Sequence, residues 1–170
     1  MRSRRARARS ARALSCVAAL AVLACAADET RESHALAEIG DVSFVRPPEP
    51  DWELGDVEED LIQLSGPGGQ ISIIFFPAAM DLEAAREFLE VPADDAPSAE
   101  TLISNVDATI GGTRRAGLAG ETAGPPPRRT EIFLVPSGAA TIAVVAEGPP
   151  GQAVFWGPAR QLLEGLELPQ

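Results

Sequence analysis

The chain has 170 residues, enough for one domain once any processed segment is removed. Its fourteen basic residues are all arginine, against 25 acids, one histidine and two cysteines. These counts nearly exclude a Cys/His zinc site, which needs four such ligands when structural and usually three when catalytic, and they exclude a disulfide scaffold.

The charge is unevenly placed. Residues 1–24 hold six arginines and no acid, so residues 25–170 carry eight arginines against all 25 acids, a net charge of −17. A domain this acidic is repelled by nucleic acid, and no nucleic-acid partner is expected. After Arg12 comes an apolar run, residues 13–27, in which only Ser15 is polar. A basic stretch, a short apolar stretch and then small residues is the order of a secretory signal. The run is too short to cross a bilayer comfortably as a helix, which takes about twenty residues.

The end of that run carries the most specific chemistry in the chain. Val22-Leu23-Ala24-Cys25 resembles the lipobox of bacterial lipoproteins. In that family the cysteine thiol takes a diacylglyceryl group, cleavage follows just before it, and the new amine is often acylated with a palmitate-type chain. The residue types suit the task, since a thiol is the nucleophile and a small residue before it lets a peptidase approach the backbone. The resemblance implies residues 1–24 as signal peptide, Cys25 as the lipid attachment site, and a cell-envelope location facing the periplasm or the exterior. Leu23 departs from the smaller residue commoner at its place. The competing reading is cleavage after Ala26, which would release a soluble periplasmic protein. Cys16 leaves with the signal in either case, so no intramolecular disulfide is expected.

Residues 25–40 are polar, acidic and small, and read as a flexible tether in which residues 33–39 could form a short helix. Residues 41–170 are expected to form a single domain. Val42-Ser43-Phe44-Val45 alternates as a short strand, stopped by Pro47 and Pro48. Residues 61–64 and 71–76 read as strands of a hairpin, with Gly66-Pro67-Gly68-Gly69 as its turn. Asp81 caps a helix with Leu82, Ala85 and Leu89 on one face. Ser98 heads a second expected helix, with Ala99, Leu102, Ile103 and Val106 in helical spacing. Residues 108–121 read as strand broken at Gly111-Gly112. Residues 130–135 and 141–146 read as β-branched strands joined at Pro136-Ser137-Gly138. Phe155, Ala159, Leu162, Leu163 and Leu166 mark a closing helix, with Pro158 expected in its first turn.

Hairpins with a few helices, and no alternating βαβ units, predict an α+β domain: an antiparallel β-sheet with flanking helices. Pro50-Asp51-Trp52 after the first strand, the helix after the first hairpin, Ile110-Gly111-Gly112 before a strand, and the closing Leu162-Leu163-Glu164-Gly165-Leu166 together resemble the PsbP-like fold. That superfamily includes DcrB-type bacterial lipoproteins and Mog-type Ran-binding proteins, and its members are chiefly binding or accessory modules. The photosystem and Ran-binding roles do not carry over, because none of their binding residues maps onto this chain.

Each candidate site has a plain rival. His34 is the sole histidine and so the only possible base of a Ser–His–Asp triad, yet it falls in the expected tether and no G-x-S-x-G elbow is present. Asp56-Val57-Glu58-Glu59-Asp60 could hold calcium but lacks the EF-hand spacing and glycine. Asp94-Asp95 is a second acidic pair, and paired carboxylates could do glycosidase-type work. Arg114-Arg115 and Arg128-Arg129 could meet and bind an anion, or offset nearby acids. Pro125-Pro126-Pro127 could be a recognition motif, with a stiff loop as the plainer reading. Trp52 and Trp156 either share a core contact or frame an aromatic pocket, with Trp52 expected to be partly buried. The expectation is a non-enzymatic envelope lipoprotein without cofactor or metal, held to the membrane through lipid and binding an envelope protein or small-molecule partner. The alternative is an envelope hydrolase that uses carboxylates alone.

Overall fold

A computed structural model describes residues 31–47, 51–90 and 101–169. It is an α+β arrangement dominated by antiparallel sheet. Arg31–Leu36 (β1) and Gly40–Val45 (β2) form a two-stranded hairpin joined by a single 3-10 turn, Ala37–Ile39. Glu53–Val57 (β3), Leu61–Gly66 (β4), Gly69–Phe76 (β5), Thr101–Ile110 (β6), Thr113–Thr122 (β7), Arg128–Ser137 (β8) and Ala140–Gly148 (β9) form one seven-stranded sheet in the order β3-β4-β5-β9-β8-β7-β6. Every pairing is antiparallel. Leu82–Glu90 (α1) follows β5, and Ala153–Glu164 (α2) closes the chain.

Period-two alternation assigns the two faces of the sheet. Ile62 and Leu64 of β4, Ile71 and Ile73 of β5, Phe133 and Val135 of β8, and Ile142, Val144 and Ala146 of β9 enter the main core. α2 covers it with Phe155, Ala159, Leu162 and Leu163, and the β1–β2 hairpin adds Leu36, Val42 and Phe44. On the opposite face α1 lays Ala85 and Leu89 on Leu118 and Ile132. Asp81 caps α1 as expected, its Oδ1 accepting from the Glu83 and Ala84 amides at 3.1 and 3.0 Å.

The structure changes several sequence expectations. Residues 31–36, read as tether, form β1. Its inner face, Glu32, His34 and Leu36, is polar at two of three places, which hides the alternation. Residues 37–39 make one 3-10 turn rather than a helix. Leu102, Ile103 and Val106 lie on β6, not on a helix; Ser98 and Ala99 lie outside the described residues. The strand prevails because Ile103 packs to one side of the sheet while Val106, Ala108 and Ile110 pack to the other, and because a ten-residue ladder with β7 satisfies its backbone. Gly111 and Gly112, at φ +57° and +71°, form the two-residue turn of that hairpin. Pro158 falls at the sixth residue of α2 rather than in the first turn, because the helix starts at Ala153. Its missing N–H leaves the Val154 carbonyl without a helical donor.

Candidate functional site

The most concentrated chemistry lies where β8 faces α2. Strand alternation puts Arg129, Glu131 and Phe133 on one face of β8, and helical spacing puts Trp156 and Arg160 on one face of α2. Glu131 is only 1% exposed. Its Oε1 accepts from Arg129 Nε at 2.9 Å, and its Oε2 accepts from Arg160 Nη2. Arg129 also donates to Glu121 through Nη1. Trp156 stands beside both guanidiniums, each 5.9 Å from its ring, and Arg160 lies 5.7 Å from the Phe133 ring. Burial alone would lower the Arg129 pKa. Its hydrogen bonds to Glu131 and Glu121 more than offset this, so the cation is held more firmly than usual.

A general acid or base needs an oxygen free to meet substrate. Both oxygens of Glu131 are held by guanidiniums, so the cluster is built as an ion-paired brace between sheet and helix. Beside it an open cleft of about 390 Å³ is lined by Asp107, Ala108, Thr109, Arg114, Arg160 and Glu164. Arg114 Nη2 donates to Asp107 Oδ2 at 2.8 Å, and that contact raises its pKa. The cleft presents both signs of charge and falls within the size range of small-molecule sites. On the other face a shallow apolar groove runs along α1 between Ile74, Ile132, Val145 and Phe88. Its volume of about 30 Å³ is too small for such a ligand.

The other sequence candidates fall apart in space. His34 lies on β1, half-buried, and stacks on Phe44 with ring centroids 5.6 Å apart. Its Nε2 is buried, lacks a hydrogen-bond partner, and is 3.6 Å from Glu32 Oε2. Asp56, Glu58, Glu59 and Asp60 are all exposed around the β3–β4 turn. Their backbone serves the fold, with Glu59 O accepting from the Ala37 amide and Asp60 O from the Phe75 amide at 2.8 Å. Among the described residues no group of three or more His, Cys, Asp or Glu is placed to hold a metal ion. The two arginine doublets do not meet. Arg114 and Arg115 lie at one end of β7, and Arg128 and Arg129 pair with its other end, seven residues or about 23 Å away. Arg128 instead offsets Glu147 at 2.7 Å. Pro125–Pro127 sit exposed in the β7–β8 loop. Cys25 and Asp94-Asp95 lie outside the described residues.

Trp52 is more buried than expected, at 1% exposure. It stacks on Phe155 at 5.5 Å, and Phe155 meets Trp156 edge-on at 5.0 Å, so the two tryptophans share one aromatic ladder. Trp156 Nε1 donates to the Pro149 carbonyl at 2.8 Å. The Arg129–Glu131–Arg160 brace was missed by the sequence reading, although Arg129 and Glu131 at strand spacing i, i+2 were a signal for it.

No protein-family model matches the chain, and no curated protein matches it by sequence. Among solved structures, the chain is similar to LpqN of Mycobacterium tuberculosis, described as involved in cell envelope biogenesis. That similarity has a TM-score of 0.49 and 16% identity, and covers 83% of this chain and 91% of that one. A second is a protein of Bacteroides thetaiotaomicron VPI-5482, with a TM-score of 0.39 and 14% identity, covering 76% of this chain and 45% of that one.

Proposed function

We propose that this chain is an exported bacterial envelope lipoprotein, a non-catalytic binding or accessory module anchored through lipid on Cys25. The observation that carries the reading is the order of residues 1–25: an arginine cluster free of acids, an apolar run, then Leu23-Ala24-Cys25. No helix among the described residues is long and apolar enough to cross a membrane. Each buried methylene contributes about 0.8 kcal/mol, and two or three chains together give stable attachment where one does not. Because β1 starts at Arg31, six residues after Cys25, the link to the domain spans at most about 22 Å. The domain would then ride close to the headgroups, with the ion pair of Arg31 and Glu167 at 3.1 Å near the attachment point.

A PsbP-like assignment of the domain is supported by the order of its later elements: Trp52 after the short strand β2, the β4–β5 hairpin followed by α1, a glycine turn before β7, the β8–β9 hairpin and the closing α2. The binding role is supported by the cleft beside Arg160, which offers both signs of charge to a polar ligand. A carboxylate hydrolase is the weaker reading, because both oxygens of Glu131 are engaged by arginines.

The test is expression of the full chain in a bacterial host fed an alkyne analogue of palmitate, followed by fractionation. The wild type should label and sediment with membranes, and Cys25→Ala should lose the label and leave the membrane or stay unprocessed. A fully processed Cys25→Ala protein that remains in the membrane pellet contradicts the proposal.

A further inference from the structure

We infer that the outer edge of β6 is a self-association surface, on which a second copy of this chain adds its own β6 antiparallel to continue the sheet. The sheet ends in two unlike edges. β3 is five residues long, its register slips between Leu54 and Val57, and it carries Glu53 and Asp56. Shortness, irregularity and charge are the devices that keep an edge from pairing with another chain. β6 is neither short nor irregular. It runs ten residues in unbroken register with β7, from Thr101↔Thr122 to Ile110↔Thr113, and contains no proline. Its one charge, Asp107, is already paired with Arg114, and Leu102 is 68% exposed.

The hairpin turn fixes which groups point outward. A two-residue turn makes Ile110 and Thr113 a hydrogen-bonded pair, so the even-numbered residues of β6 bond to β7. Thr101, Ile103, Asn105, Asp107 and Thr109 therefore direct N–H and C=O away from the sheet. Among the described residues no backbone hydrogen bond reaches these groups. An edge of this kind binds another strand through its main chain.

The sequence of the edge is compatible with itself. Outward residues must face outward residues, so a two-fold axis falls on a residue of the strand. An axis at Asn105 sets Ile103 opposite Asp107, Thr101 opposite Thr109, and exposed Leu102 opposite Ala108. An axis at Asp107 would oppose two carboxylates, which is destabilising, so the strand's single charge selects against that register. The acidic domains repel at long range, and salt screens this over about 8 Å at physiological strength, so association strengthens with added salt. None of this depends on the lipid anchor.

The experiment uses the full chain purified in detergent and sized by sedimentation equilibrium at high micromolar concentration. The wild type should give twice the monomer mass, increasingly so as salt is raised. Asn105→Pro should give the monomer with unchanged circular dichroism, because the Asn105 N–H points outward and its loss breaks no bond to β7. Hydrogen exchange at Asn105 and Asp107 amides provides a second reading that needs no variant: both should be slow in concentrated wild type and fast on dilution. A monomeric wild type overturns the inference. So does a dimer that persists in folded Asn105→Pro, or exchange at these two amides that ignores concentration.

Discussion

The Phe155 ring fills the space that a side chain on Gly148 would need: a Cβ there would lie 2.5 Å from the ring's Cδ1. Gly69, across the sheet on β5, is held to the same requirement, with Phe155 Cε2 at 2.6 Å, and Gly66 seats Trp52 in the same way at 2.7 Å. Gly66 and Gly69, which read as turn residues, thus join Gly148 in shaping the floor on which the aromatic ladder lies. Gly148→Ala is expected to cost about 1–3 kcal/mol through overpacking. Phe155→Ala, which empties the same place, should cost about 3–5 kcal/mol. Urea denaturation of the two variants measures both, and a Gly148→Ala protein as stable as wild type contradicts the packing described.

The Arg129–Glu131–Arg160 brace makes a second prediction. Glu131→Ala leaves two guanidiniums facing each other next to Trp156. Removing one partner of a buried ion pair costs about 3–5 kcal/mol. Arg160, whose side chain is 37% exposed, can turn to solvent, so Arg160→Ala should cost less than Glu131→Ala. The order of the two losses in chemical denaturation is the check; the reverse order would show that Glu131 is not the hinge of the network. The raised Arg129 pKa stabilises the fold fully below the ordinary arginine value and is lost only above it, so the Arg129 cation gives no pH dependence near neutrality.

Asp81 caps α1 with two side-chain bonds. Asp81→Ala should cost about 1 kcal/mol and Asp81→Asn only a fraction of that, since asparagine caps nearly as well. Equal losses for the two would mean that the carboxylate charge, rather than the cap geometry, matters at this helix start.

The exposed acids at Asp56, Glu58, Glu59 and Asp60 do not converge on a common point. Millimolar calcium should leave the melting temperature of the full chain unchanged, because an ion that binds the folded state stabilises it by mass action. A rise with calcium would show that these carboxylates do gather around an ion.

Much of the fold was legible where apolar residues keep a clear period. β2, the β4–β5 hairpin, α1 with its Asp81 cap, β8, β9 and α2 all follow from such runs. Where the period is carried by polar residues it was hidden. β1 turns Glu32 and His34 inward beside Leu36, and β3 is an acidic edge strand with Leu54 as its inner apolar residue. β6 misled because Leu102, Ile103 and Val106 fit a helical spacing by coincidence, while the backbone ladder that decides the matter belongs to β7. The site was less legible than the fold. Glu131 reads as one acid among many until Arg160, 29 residues away, is brought against it by α2. Trp52 and Phe155 lie far apart in sequence and meet only because the β4–β5 turn and the end of β9 are glycine-lined.

The proposed anchorage rests on one sulfur, that of Cys25. Intact mass of the mature protein taken from the native membrane tests it directly. A chain beginning at Cys25 and heavier by a diacylglyceryl group, with or without a further acyl chain on its amine, is the predicted result. An unmodified chain beginning at Ala27 would contradict it.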